Sequence, residues 1–154
     1  MGGILALKCS ETIHPDVIVL VNSALPKDVG PPHSEKSYPD IIRWANGPLQ
    51  ETLDAMPDSD QPTIRWAHPK WRDESGAALR SIRAGIEVMK PNVPVLVVIG
   101  EKDTDILPSS SQALAEWCSA DTMRFASTSH VGPLMGRRAT EIAEAVRRWI
   151  DARK

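Results

Sequence analysis

Two short segments carry residue types suited to acid–base chemistry. Gly100-Glu101-Lys102-Asp103 directly follows the apolar run Val95-Leu96-Val97-Val98-Ile99, so a carboxylate stands just past the end of a strand-like stretch, where open α/β sheets place their ligands. After the next strand-like stretch, Ser129-His130-Val131-Gly132-Pro133 puts an imidazole in a loop. A carboxylate that holds one ring nitrogen leaves the other free to act as a general base, provided both side chains project from rigid strand ends. Asp105 is a nearby rival for the acid, and a loop carboxylate that only caps a turn is the competing reading of Asp103. Taken alone, His130 is more often an ordinary loop histidine.

The remaining reactive residues point elsewhere. Ser23 ends a strand-like run but lacks the glycine-flanked turn of an activated serine, and Ser109 to Ser111 read as a helix start. His14, His33 and His68 are expected at the surface, and none has a second ligand at a metal-binding spacing. No metal and no cofactor are expected. Cys9 and Cys118 lie far apart with no C-x-x-C partner, which predicts two buried thiols rather than a disulfide or a zinc site.

The elements that must position Asp103 and His130 follow from apolar patterning. Residues 4–13 are compatible with a helix that Pro15 forbids from continuing, and 17–21 form a β-branched run suited to a strand buried on both faces. Residues 26–39 read as a surface connection rich in Pro, Gly, Ser and charge. Between 40 and 90, apolar residues recur at helical spacing and predict three or four short helices broken at Gly47-Pro48, Pro57 and Pro69. A second strand is expected over 93–99, a helix over 110–118 capped by Ser109 or Ser110, a third strand over 122–126, and a loop over 127–133. In the last helix Ile142, Ala145, Val146, Trp149 and Ile150 share one face, opposite Glu141, Glu144, Arg147 and Arg148. That order implies an α/β fold with about three parallel strands, flanking helices and a helical insertion, with core segments 1–30 and 91–154 around an insertion at 31–90.

Composition sets bounds on partners. The chain has 154 residues, 42% hydrophobic and 25% charged, the makeup of a globular domain. A net charge of -2 supplies no basic footprint for nucleic acid and no polybasic arm for a membrane surface. No apolar stretch approaches the ~20 residues that cross a bilayer, and the opening Met1-Gly2-Gly3 lacks the features of a signal peptide, so a cytoplasmic location is expected.

The strand end Gly100-Glu101-Lys102-Asp103 and the loop Ser129-His130-Val131-Gly132-Pro133 resemble the acid and histidine motifs of α/β-hydrolases, in that family's order of nucleophile, acid, histidine. The start, Met1-Gly2-Gly3-Ile4-Leu5-Ala6-Leu7, then His14-Pro15-Asp16 and Val19-Leu20-Val21-Asn22-Ser23, is similar to the stretch after the nucleophile elbow in these enzymes. The resemblance covers nearly the whole chain, with the insertion corresponding to the variable cap. It implies a serine hydrolase of esters or related small acyl compounds, with Asp103 and His130 as acid and base. No G-x-S-x-G elbow occurs, and in this alignment the serine falls immediately before Met1. The backbone nitrogen of the residue after the serine normally helps to bind the oxyanion, and here that nitrogen belongs to Met1.

Two functional readings are open. In the first, the chain is the C-terminal half of an esterase-like hydrolase, weak or inactive until an N-terminal half supplies the serine. In the second, it is a non-catalytic homodimer joined antiparallel through its first strand, whose bare edge a second copy would cover in a continuous six-stranded sheet. Trp44, Trp66 and Trp71 either line an apolar pocket under the cap or, as such residues more often do, pack the cap onto the core.

Overall fold

A computed structural model describes residues 1–31 and 37–153. In chain order its elements are α1 (Gly2–Cys9), β1 (Ile18–Val21), β2 (Ile41–Ile42), α2 (Leu49–Ala55), α3 (Gln61–Ala67), a 3-10 turn (His68–Lys70), β3 (Glu74–Ser75), α4 (Gly76–Ala84), β4 (Val95–Gly100), α5 (Pro108–Cys118), β5 (Asp121–Phe125), α6 (Gly132–Met135) and α7 (Ala139–Asp151).

The expected parallel sheet forms. β4 lies at its centre, with β1 and β5 parallel to it on either side, Ile18 beside Val95 and Leu96 beside Asp121. Every residue of β4 is buried, which explains why its sequence shows no polar alternation. Val95, Val97 and Ile99 face Ile4 and Leu7 of α1 and Leu114 and Ala115 of α5. Leu96 and Val98 face Phe125 together with Ile142 and Trp149 of α7. Each such aliphatic side chain contributes about 1.5–3 kcal/mol on burial, so both helical layers are held through this one strand. The outer edge of β1 has no strand beside it among the described residues.

α1 stops at Cys9, four residues short of the expected end at 13. The Ser10 hydroxyl donates to the Leu7 carbonyl at 2.7 Å, and such side-chain bonds compete with the helical ladder. The inward stripe of α1 is Ile4 and Leu7, and Cys9 lies off it on the solvent side. Cys9 is therefore exposed, contrary to expectation, while Cys118 is buried as expected. α5 also departs in detail: it begins at Pro108 with Leu107 at its cap position and no side-chain cap, because proline presets the helical φ at the first turn. Ser110 and Ser111 lie inside the helix and are buried.

The segment between β1 and β4 carries α2, α3, the 3-10 turn and α4, with breaks at the expected prolines, but Ile41 and Ile42 are not in a helix. They pair antiparallel with Ser75 and Glu74, a short ladder that suits β-branched residues. Met56, Ile64 and Ala67 make a separate small core, to which Trp71, Val131 and Met135 add partly buried surface. Beside it the buried Thr52 hydroxyl accepts from Trp71 Nε1 at 2.9 Å and meets His68 Nδ1 at 2.9 Å. His68 is thus half-buried and partnered, whereas His14 is exposed and His33 lies outside the described residues. No helix of the described residues is long and apolar enough to cross a membrane.

Candidate active site

β4 ends at the buried Gly100, where the chain passes close to the histidine loop. A Cβ at Gly100 would stand 2.6 Å from the Thr128 carbonyl oxygen and 2.8 Å from that of Ser129, so only glycine lets the two strand ends approach. The turn after it is tied to the same loop, since the Lys102 amide donates to the Thr128 carbonyl at 2.9 Å. Asp103 then turns inward and is buried. Its Oδ1 accepts the backbone N–H groups of Asp105 at 2.8 Å and Ile106 at 2.9 Å, which fixes the carboxylate plane. Its Oδ2 faces His130 Nδ1 at 2.9 Å.

Asp103 and His130, 27 positions apart, are thus brought together, and Asp105 is not the residue on the imidazole. The turn-capping reading of Asp103 is true as well: one oxygen caps the turn while the other holds the ring. The His130 side chain is 36% exposed, and Nε2 has no hydrogen-bond partner among the described residues. The imidazole pKa lies above its ordinary value, chiefly because Asp103 accepts from the ring, with burial pulling the other way. The charge of Asp105 raises it further, and the Met1 amine opposes that rise. A carboxylate-held imidazole with a bare second nitrogen can take up a proton from an adjacent hydroxyl and return it to a leaving group.

His130 lines two hollows beside the insertion. One, of about 490 Å³, is lined by Met1, Asn22, Ile42, Trp44 and Ile106 along with His130. A second, of about 450 Å³, lies between Trp44, Trp71, Ala55, Val131 and His130. Trp44 is held there because Asp73 accepts the backbone N–H groups of Trp44 at 3.1 Å and Ala45 at 3.0 Å. Trp71 lines the hollow and also packs against the insertion's own small core, and Trp66 is exposed with the Lys70 ammonium 4.6 Å from its ring centre.

Asp103, Asp105 and His130 offer ligand atoms within 4.8 Å of one another, the spacing of a metal site. The hydrogen bonds favour another use. Both Asp103 oxygens are engaged, one by two amides and one by the ring, as in an orienting carboxylate rather than an open ligand. Ser23, the other serine at a strand end, is buried with its hydroxyl on the Ala24 carbonyl at 2.8 Å, under Gly3.

Two residues around His130 escaped sequence reasoning. Asn22, buried at the end of β1 with φ at 42°, donates from Nδ2 to the carbonyls of Ser129 at 3.1 Å and His130 at 2.7 Å, and accepts the Gly100 N–H at 2.9 Å. Asp58, in the turn between α2 and α3, accepts the Ser129 N–H at 3.0 Å and also its hydroxyl. An asparagine closing a strand is a weak hint of left-handed backbone; nothing in the local sequence marks Asp58.

No family model matches the chain, and no curated protein matches it. Among solved structures it is similar to Est1E from Butyrivibrio proteoclasticus, an esterase of the α/β-hydrolase fold in a structure with ferulic acid bound. The TM-score is 0.60 at 15% identity, over 98% of this chain and 55% of that one. The chain therefore has an α/β-hydrolase-like fold and spans about half the length of the esterase it matches.

Proposed function

We propose that this chain is the acid-and-histidine half of a serine ester hydrolase, with the insertion as its cap. The observation that carries the reading is the Asp103 Oδ2 to His130 Nδ1 contact at 2.9 Å, which leaves Nε2 without a partner among the described residues on a ring that lines a hollow together with Met1. A serine joined to Met1, or delivered there by a separate N-terminal segment, would stand at the entrance to that hollow. Its hydroxyl proton would pass to Nε2 as Oγ attacks the ester carbonyl. The imidazolium would then return the proton to the departing alcohol, leaving an acyl-serine. Water, deprotonated by the same nitrogen, would release the acid and restore the serine. The Met1 nitrogen, as an amide in such a chain, would face the developing oxyanion from the start of α1. Small acyl esters suit the Trp44- and Trp71-lined hollow, and Est1E, seen with ferulic acid bound, supports that class.

The test is turnover of short acyl esters by this chain and by a longer form carrying the segment encoded in frame upstream of Met1. The 154-residue chain is expected to be all but inactive, since loss of the nucleophile in comparable triads removes on the order of a millionfold in turnover. The longer form is expected to turn over and to lose activity with His130→Ala. Turnover by either form that is indifferent to His130→Ala would overturn the reading.

The edge of β1, which has no strand beside it among the described residues, favours a second reading, a non-catalytic dimer of this half-domain in which the two β1 strands pair antiparallel. Solution mass tests it: a dimer supports it, and a monomer at micromolar concentration refutes it.

A further inference from the structure

The proton-transfer scheme leaves one carboxylate beside the histidine loop without a task. Asp58 belongs to the insertion, yet its side chain points at the core and takes both donors of Ser129, the amide at 3.0 Å on Oδ2 and the hydroxyl on Oδ1. The grip extends along the loop. The Asp58 carbonyl accepts the Arg137 N–H at 3.0 Å, and the neighbouring Ser59 hydroxyl donates to the Met135 carbonyl at 2.8 Å. Gly132 makes room for the carboxylate, because a Cβ there would run into Asp58 Oδ2. On the opposite side Asn22 holds the carbonyls of Ser129 and His130. The backbone that carries the imidazole is therefore pinned between the sheet and the insertion, and Asp58 supplies the insertion's side of the pin.

We propose that Asp58 is a positioning residue for His130: acting through Ser129, it sets the ring orientation in which Nδ1 donates to Asp103 and Nε2 is presented to the hollow. The proposal rests on His130 being the base, and it adds that the insertion helps to aim the base as well as covering the site. Ser129 and Gly132, the residues that flank His130 and Val131 in the loop, then have a shared reason for their identity, as the donor and the space that this carboxylate requires.

The tautomer of neutral His130 tests this without any turnover. In a 15N-labelled sample above the imidazole pKa, long-range proton–nitrogen spectra of the chain are expected to show Nδ1 protonated and Nε2 bare, with the signal assigned by His130→Ala. Asp103, Asp105 and the Met1 amine are the charged groups acting on the ring, and Asp58 is not among them, so the question is whether its carboxylate acts through the Ser129 bonds. Ser129→Ala answers this, because it breaks the hydroxyl bond and keeps the Asp58 charge. The Nδ1–H signature is expected to give way to a tautomer mixture in Asp58→Ala and, to a lesser degree, in Ser129→Ala, with the amide signals of β4 and β5 in place. Asp58→Asn, which keeps an acceptor for the Ser129 amide, should fall between wild type and Asp58→Ala. An unchanged Nδ1–H signature in Ser129→Ala and Asp58→Ala would overturn the proposal. If Asp58→Ala does not fold, Ser129→Ala decides alone. Failure of the hydrolase reading would look different: a serine-bearing form without turnover, whatever the tautomers of these variants.

Discussion

Asn22 donates from Nδ2 to the backbone carbonyl of His130 at 2.7 Å, joining the end of β1 to a loop 108 positions away. The same amide group accepts the Gly100 N–H at 2.9 Å, so one buried side chain ties together the ends of β1, β4 and the histidine loop. Asn22→Ala would take the side-chain partner from the Gly100 N–H and the His130 carbonyl, leave the Ser129 carbonyl with the Gly132 N–H alone, and force alanine into a left-handed conformation. A loss of about 2–4 kcal/mol in urea unfolding is expected, at the rate of about 1–3 kcal/mol per unsatisfied buried group offset by partial relaxation. Asn22→Gly relieves the backbone and not the bonds, so it should recover at most about 1 kcal/mol of that loss. Full recovery would show that the bonds contribute little.

The Asp103 contact predicts a pH signature. His130 has its pKa raised in the folded state, mainly by the hydrogen bond to Asp103, so its contribution to stability is complete below the ordinary histidine value of about 6.5 and fades as pH rises through the higher folded value. Asp103→Asn should therefore cost more stability near pH 6 than near pH 9, and histidine NMR titration should show the His130 pKa lowered. In a serine-bearing form, the acidic limb of the rate profile should sit above the ordinary histidine pKa and move down in Asp103→Asn. A variant titrating as the parent does would remove Asp103 as the cause.

Gly132→Ala tests the space beside Asp58. The new methyl would strike Asp58 Oδ2 and come 2.6 Å from Thr128 Cγ2, so the loop or the carboxylate must move. A destabilisation of about 1–3 kcal/mol is expected, the usual range for overpacking. Thermal unfolding measures it, and a melting temperature equal to that of the parent would contradict the close approach.

The two thiols should differ sharply in reactivity. Cys9 is exposed on the outer side of α1, while burial pushes the Cys118 thiol up to about 11. At pH 8 a disulfide reagent should label one thiol rapidly and the other only on unfolding, and Cys9→Ala should abolish the fast phase. Two fast thiols would mean that the α5 packing around Cys118 opens readily.

The parts of this protein legible in its sequence are those with a local physical cause. Strand β4 announces itself because a strand covered on both faces must be apolar throughout, and α7 because its buried stripe repeats every three to four residues. The prolines of the insertion mark its helix breaks for an equally local reason. Asp103 and His130 could be picked out because each lies just past a recognisable strand end. Where a helix stops against competing side chains, as α1 does at Ser10, or where two isoleucines find a strand partner more than thirty positions away, as β2 does in β3, neighbours in sequence hold no record of the outcome.

The amino-acid order alone settled the three strands of the parallel sheet and the helices that flank them, and with them which strand ends would carry an acid and an imidazole, since both derive from apolar periodicity and strand termini. The folded molecule decided which carboxylate meets His130, that Ser23 is turned away beneath Gly3, and that Asn22 and Asp58 grip the same loop from opposite sides. Those choices depend on hydrogen-bond distances between segments far apart in the chain, and such distances exist only after the sheet and the insertion have packed around each other.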